Sequence, residues 1–144
     1  MEERLIKVGI THGDINGIGY EVILKTFSDA RVAELCTPVI YGSSKIAAYH
    51  RKALELPPVN MNIISQAEDA GINRVNIINC VDDETKVELS QSTSIAGEAA
   101  FLALEAAVTD LKRGAVDVLL TAPINKHNIQ NDQFHFPGHT EYLE

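Results

Sequence analysis

Cysteine is scarce in this chain. Cys36 and Cys80 are the only two in 144 residues and form no C-x-x-C pair, which argues against a disulfide framework and fits reduced thiols in a cytoplasmic protein. Neither has a histidine beside it to generate a thiolate nucleophile. Basic residues are outnumbered, 12 against 20 acidic, for a formal charge of −8. There is no basic run and no interleaving of aromatic with basic residues, so a nucleic-acid surface is not expected. The longest apolar stretches fall well short of a bilayer span. The opening MEER is followed by no apolar core of the signal-peptide kind. No repeat, low-complexity tract or linker breaks the chain. With 45% hydrophobic residues it can bury one core, and a single domain is expected.

The segments that remain alternate between strand and helix patterns. Residues 5–10 and 39–41 read as strands, 60–64 as a short strand, and 75–80 as a stronger one. Residues 116–122 are apolar and partly β-branched, as expected for a buried parallel strand. A helical pattern follows Ile18 and closes near Ser28. Another starts at Gly42-Ser43-Ser44 and runs to about Leu56, ahead of Pro57-Pro58. The strongest helix is predicted over residues 95–113. Ala96, Ala99, Ala100, Ala103, Leu104, Ala107, Val108 and Leu111 keep i, i+3, i+4 spacing along it, with Gly114 as the residue that ends it. Such alternation predicts an α/β fold with a mostly parallel sheet.

Two motifs stand directly after strand-like runs, where open α/β sheets bind ligands. One is TAPINK at 121–126, which offers Thr121, Asn125 and Lys126. The other is FPGHTE at 136–141, which offers His139 and Thr140, with Thr140 as the cap of a helix from Glu141. A third candidate is the glycine loop at 13–19, GDINGIG. Its G-x-x-x-G-x-G order is neither the dinucleotide fingerprint G-x-G-x-x-G nor a Walker loop. The glycines can serve simply as a tight strand-to-helix turn. In the functional alternative, Asp14 stands at the carboxyl edge of the sheet beside the crevice, with His12 a weaker candidate. Asn125 reads equally well as a helix cap, and Lys126 as a solvated charge in a first helical turn. His135 and His139 have H-x-x-x-H spacing, but Pro137-Gly138 between them breaks the helix a metal pair needs. His50 and His127 sit in charged or polar helical sequence and are read as chemically idle.

GITHGDINGIGYE at 9–21, GAVDVLLTAPINK at 114–126 and FPGHTEYL at 136–143 together resemble the 4-hydroxythreonine-4-phosphate dehydrogenase family. The resemblance implies a three-layer α/β/α sandwich of the isocitrate and isopropylmalate dehydrogenase type. It also implies that residues 1–144 are the N-terminal portion of a longer two-domain, homodimeric enzyme. The family reaction is NAD-dependent oxidation, with decarboxylation, of 4-phosphohydroxy-L-threonine on the route to pyridoxal 5′-phosphate, assisted by a divalent metal (Zn, Mg or Co). His139 and Thr140 match the family's substrate-binding pair. The metal-binding histidines, the other substrate contacts and the nicotinamide-binding elements fall beyond Glu144 in the family pattern. His12, Ile15 and Tyr20 depart from the commoner pattern, in which prolines frame the glycine loop. A sister group oxidises phosphorylated four-carbon sugar acids such as 4-phosphothreonate. Two rivals from other classes are a phosphate acyltransferase on a related scaffold and a non-catalytic binding module.

Overall fold

The computed structural model describes residues 5–130 and Leu143. Five strands occur in them: β1 Lys7–Thr11, β2 Thr37–Gly42, β3 Met61–Ile64, β4 Val75–Asn79 and β5 Val118–Thr121. All pair in parallel, in the order β3-β4-β2-β1-β5. The helices are α1 Gly19–Phe27, α2 Val32–Leu35, α3 Ser44–Ala53 and α4 Ser94–Lys112, with a 3-10 turn at Ala67–Asp69. No helix among the described residues is long and apolar enough to cross a membrane.

Alternation along β1 and β2 sorts the core into two layers around the sheet. Ile10 and Ile40 face one side and meet Ile23 and Phe27 of α1, together with Val75 and Ile77. Val39 and Tyr41 face the other side and meet Ala103 and Ala107 of α4 and Val116. α1 and α3 share the first side, where Tyr20, Leu24, Ile46 and Ala47 interlock. This is the expected α/β/α layering, with every described strand parallel.

α4 forms as its alanine periodicity predicts. Ala96, Ala99, Ala100, Ala103, Leu104 and Ala107 are all buried, and the methyl-sized side chains bring the helix close onto β1, β2 and β5. The Thr93 hydroxyl accepts the Ala96 N–H and caps the start. At the other end Gly114 takes φ +80°. Its N–H bonds to the Leu111 carbonyl, and Ala115 N–H bonds to that of Asp110, the paired pattern that ends a helix in the left-handed conformation.

Two local expectations are corrected, and two short elements join those read from the sequence. α3 stops at Ala53, short of Leu56, because Glu55 turns to φ +53° and Leu56 N–H bonds back to the Arg51 carbonyl. α2, and the 3-10 turn within what reads as a polar excursion before Asn73, have no distinct apolar period to announce them. β5 is not wholly buried: Val118 and Leu120 are 45% and 59% exposed, because α1 does not reach across this edge strand of the described sheet.

Filling the closest helix–sheet contact is expected to be costly. Ala103 is 0% exposed between Val39, Tyr41 and Val116, so Ala103→Phe should lower stability by roughly 1–3 kcal/mol. Urea denaturation of the two proteins measures this, and equal midpoints would show that the stripe is not packed.

Candidate functional site

Chain direction at the carboxyl edge of the sheet marks out the candidate site. After β1 the chain turns into α1 on one face. After β5 it turns the other way, and Ile129 buries against Ala100, Phe101 and Leu104 of α4. Neighbouring strands whose exits part in this way create the crevice where open α/β sheets bind ligands. Its walls are the glycine loop and the TAPINK segment. Gly13 has φ +67°, and a Cβ there would overlap the Pro123 carbonyl oxygen, so glycine lets the two loops touch. Asp14 N–H donates to that carbonyl at 2.8 Å. Beside the contact, on the α1 side, lies an open apolar groove of about 180 Å³ between Val22, Phe27 and Leu120.

Three amides of the glycine loop are committed to acceptors within the protein. Besides the Asp14 N–H, Asn16 N–H donates to Asp14 Oδ1 at 3.0 Å and Gly17 N–H to the Asp14 carbonyl at 3.0 Å. These three donors are not available to a phosphate. The buried Asn16 side chain ties it to the approach of α4. Its amide donates to the Gln91 carbonyl at 3.0 Å and to Thr93 Oγ1 at 3.3 Å, and its oxygen accepts the Glu88 N–H at 2.7 Å. α4 in turn touches the second wall, since a Cβ on Gly97 would overlap the Asn128 carbonyl.

Beneath the loop lies a buried polar cluster. His12 is fully enclosed, with Nε2 2.9 Å from the Ala99 carbonyl and Nδ1 2.7 Å from the Tyr20 hydroxyl. A carbonyl only accepts, so Nε2 carries the proton and Nδ1 accepts from Tyr20. Ser43 N–H donates to the Tyr20 oxygen at 2.9 Å. Burial pushes the His12 pKa down to about 4, with the Ala99 carbonyl acting in the other direction and His50 adding a small further lowering. Burial raises that of Tyr20. His50 is also buried, donates from Nε2 to the Ile15 carbonyl at 2.7 Å, and has its pKa lowered by burial.

Comparison with known proteins agrees with this architecture. Residues 34–144, more than half of the chain, match the family described as pyridoxal phosphate biosynthetic protein PdxA. The chain belongs to this family. A 4-hydroxythreonine-4-phosphate dehydrogenase from Bacteroides thetaiotaomicron is 60% identical over 144 residues, all of this chain and 39% of the relative. A D-threonate 4-phosphate dehydrogenase from Cupriavidus necator is 32% identical over 146 residues, covering 99% of this chain and 43% of that protein. The crystal structure of a 4-hydroxythreonine-4-phosphate dehydrogenase from Burkholderia phymatum superimposes with a TM-score of 0.85 at 30% identity. The match covers 98% of this chain and 43% of that one. The chain thus spans less than half the length of these family members.

Within this PdxA-family chain, the structure brings Asp14, Thr121, Asn125 and Lys126 to the same sheet edge with distinct surroundings. Asp14 and Thr121 are half-buried. Asn125 is a cap: its Oδ1 accepts the N–H groups of His127 and Asn128 at 3.0 and 3.1 Å. Lys126 opens a turn at 126–129 and not a regular helix. His12 is not a cleft residue, because its ring faces the core. His50 is not in polar surroundings, because α3 turns it inward onto Ile15. His135, His139 and Thr140 lie outside the described residues. Asn16 lies within the glycine loop but is not singled out there, and His50 reads as idle in the linear chain. Nothing local marks either one, because their partners arrive from distant segments. Among the described residues no group of three or more His, Cys, Asp or Glu side chains can hold a metal ion, and both ring nitrogens of His12 are committed. The described residues therefore do not form a metal site of their own.

The buried histidines make stability depend on pH in a defined direction. Unfolded His12 takes a proton below its ordinary 6.5, whereas the folded side chain resists until about 4. The unfolded state then binds more protons, so the contribution is fully present above 6.5 and is lost as pH falls toward 4. It amounts to roughly 3 kcal/mol. Urea midpoints measured between neutral pH and pH 4.5 should fall, and His12→Gln should flatten the dependence. An equally steep slope in the variant would assign it to other groups.

Proposed function

We propose that this chain is the N-terminal portion of an NAD- and metal-dependent 4-hydroxythreonine-4-phosphate dehydrogenase, cytoplasmic and homodimeric as the family resemblance implies. The observation that carries the reading is identity along the whole chain: 60% to a 4-hydroxythreonine-4-phosphate dehydrogenase against 32% to a D-threonate 4-phosphate dehydrogenase. That contrast favours the phospho-amino acid over the phosphorylated four-carbon sugar acid. The family's dehydrogenase members also speak against the acyl-transfer and pure binding-module alternatives.

In the reaction, the carbinol C–H of 4-phosphohydroxy-L-threonine leaves as hydride to NAD⁺ and the hydroxyl proton is released. The resulting β-keto acid then loses CO₂. NAD and the divalent metal supply oxidant and Lewis acid when bound by the rest of the enzyme. The chain's own share is to bind and orient. Asp14 presents a carboxylate at the cleft wall, suited to the substrate's ammonium or hydroxyl and unsuited to its phosphate. Lys126 places a cation at the same edge, which matters in a chain of net charge −8, because attraction for a phosphorylated substrate must then be local. His139 and Thr140 hold the substrate.

Fusing residues 1–144 to the remaining length of the Bacteroides relative tests the reading, with NADH formation followed in the presence of divalent metal. Turnover of 4-phosphohydroxy-L-threonine in clear preference to 4-phospho-D-threonate is expected. The reverse preference would transfer the chain to the sister group, and robust NADH production by the 144-residue chain alone would overturn the view that it is one portion of the enzyme. In the fusion, His139→Ala should cost about 1.5–3 kcal/mol in kcat/KM with metal content retained. Loss of metal with normal substrate affinity would reassign that histidine.

A further inference from the structure

The peptide group between Ile15 and Asn16 is gripped at both ends. Its carbonyl accepts the His50 Nε2–H at 2.7 Å. Its N–H donates to Asp14 Oδ1 at 3.0 Å. Because a peptide group is planar, holding the carbonyl also sets the direction in which the N–H points. The orientation of the Asp14 carboxylate therefore follows from the position of an imidazole on α3, a different element of the fold. We propose that His50 is a positioning residue for the reaction: acting through the 15–16 peptide, it aims the Asp14 carboxylate into the substrate cleft. The inference rests on the proposed function, in which Asp14 lines that cleft.

The surroundings of His50 suit such a role. Its ring stacks on Tyr20, with centroids 5.4 Å apart and planes at 23°. It meets Tyr49 edge-on at 5.7 Å and 86°. Tyr20 is anchored in turn by His12 at 2.7 Å and by the Ser43 N–H at 2.9 Å. His50 is thus held by contacts that are independent of the Ile15 carbonyl. The other face of the same turn is held by Asn16, whose side chain is committed to Glu88, Gln91 and Thr93. Nothing in this chain of contacts places the imidazole itself against substrate, so its effect is transmitted and not direct.

Variants of the fusion enzyme test the link. His50→Leu removes the donor and keeps an apolar side chain of similar bulk, whereas His50→Gln keeps an N–H donor for the Ile15 carbonyl. Misaiming one contact group should lower kcat/KM for 4-phosphohydroxy-L-threonine by about tenfold or more in His50→Leu, with His50→Gln recovering most of it. The effect should largely vanish in an Asp14→Ala background, since there is then no carboxylate to aim. A merely structural histidine would instead give the same loss whether or not Asp14 is present, and that result overturns the inference. If His50→Leu does not fold, His50→Phe, which also lacks the donor and keeps a ring against Tyr20, is measured in both backgrounds for the same comparison. A wild-type fusion without turnover overturns the functional reading and the inference together. An active wild type with His50→Leu unimpaired overturns the inference alone.

Discussion

The hydrogen bond from Asp14 N–H to the Pro123 carbonyl, 2.8 Å long, is the constraint on which the site depends. It extends the parallel pairing of β1 and β5 past the last strand residues, where Thr11 stands opposite Thr121 and Ala122 N–H still reaches the Thr11 carbonyl. The two chain segments must then part to opposite faces of the sheet, and that parting makes the cleft. The contact is possible only because residue 13 has no Cβ and occupies positive φ. A side chain there would separate the walls and unseat Asp14.

Much of the remaining architecture steadies this junction. α4 approaches through alanine and glycine, so that Ala99 can accept from His12 and Gly97 can lie against Asn128. Asn16 binds the loop to the segment entering α4, and His50 binds it to α3. The polar groups involved are buried, and burial makes each hydrogen bond costly to lose. The same burial keeps His12 and His50 neutral. Both histidines are thereby withdrawn from acid–base chemistry.

Charge adds a second constraint. A chain of net charge −8 repels a phosphorylated ligand at long range, and the glycine loop spends the amides of Asp14, Asn16 and Gly17 on its own fold. In the proposed enzyme, phosphate recognition therefore falls to side chains such as Lys126 and His139. His12, Ile15 and Tyr20 also share one physical setting. His12 and Tyr20 hydrogen-bond to one another, and the carbonyl of Ile15 receives His50, so all three belong to one buried cluster.

Periodicity makes α4 and its alanine face legible in the linear chain, because a long amphipathic repeat encodes which side is buried. Short β-branched runs likewise make the strands β1, β2, β4 and β5 legible, although not the exposure of β5. Sequence also allows two roles for Asn125, and tertiary structure shows it capping the 126–129 turn. Tertiary structure alone decided that His12 points into the core and that His50 faces inward from α3. It alone showed the 15–16 peptide bridging that histidine to Asp14. Local pattern reports what each segment can form. Burial and hydrogen-bond partners between residues 35 and 87 positions apart come into being only when the strands take their order in the sheet.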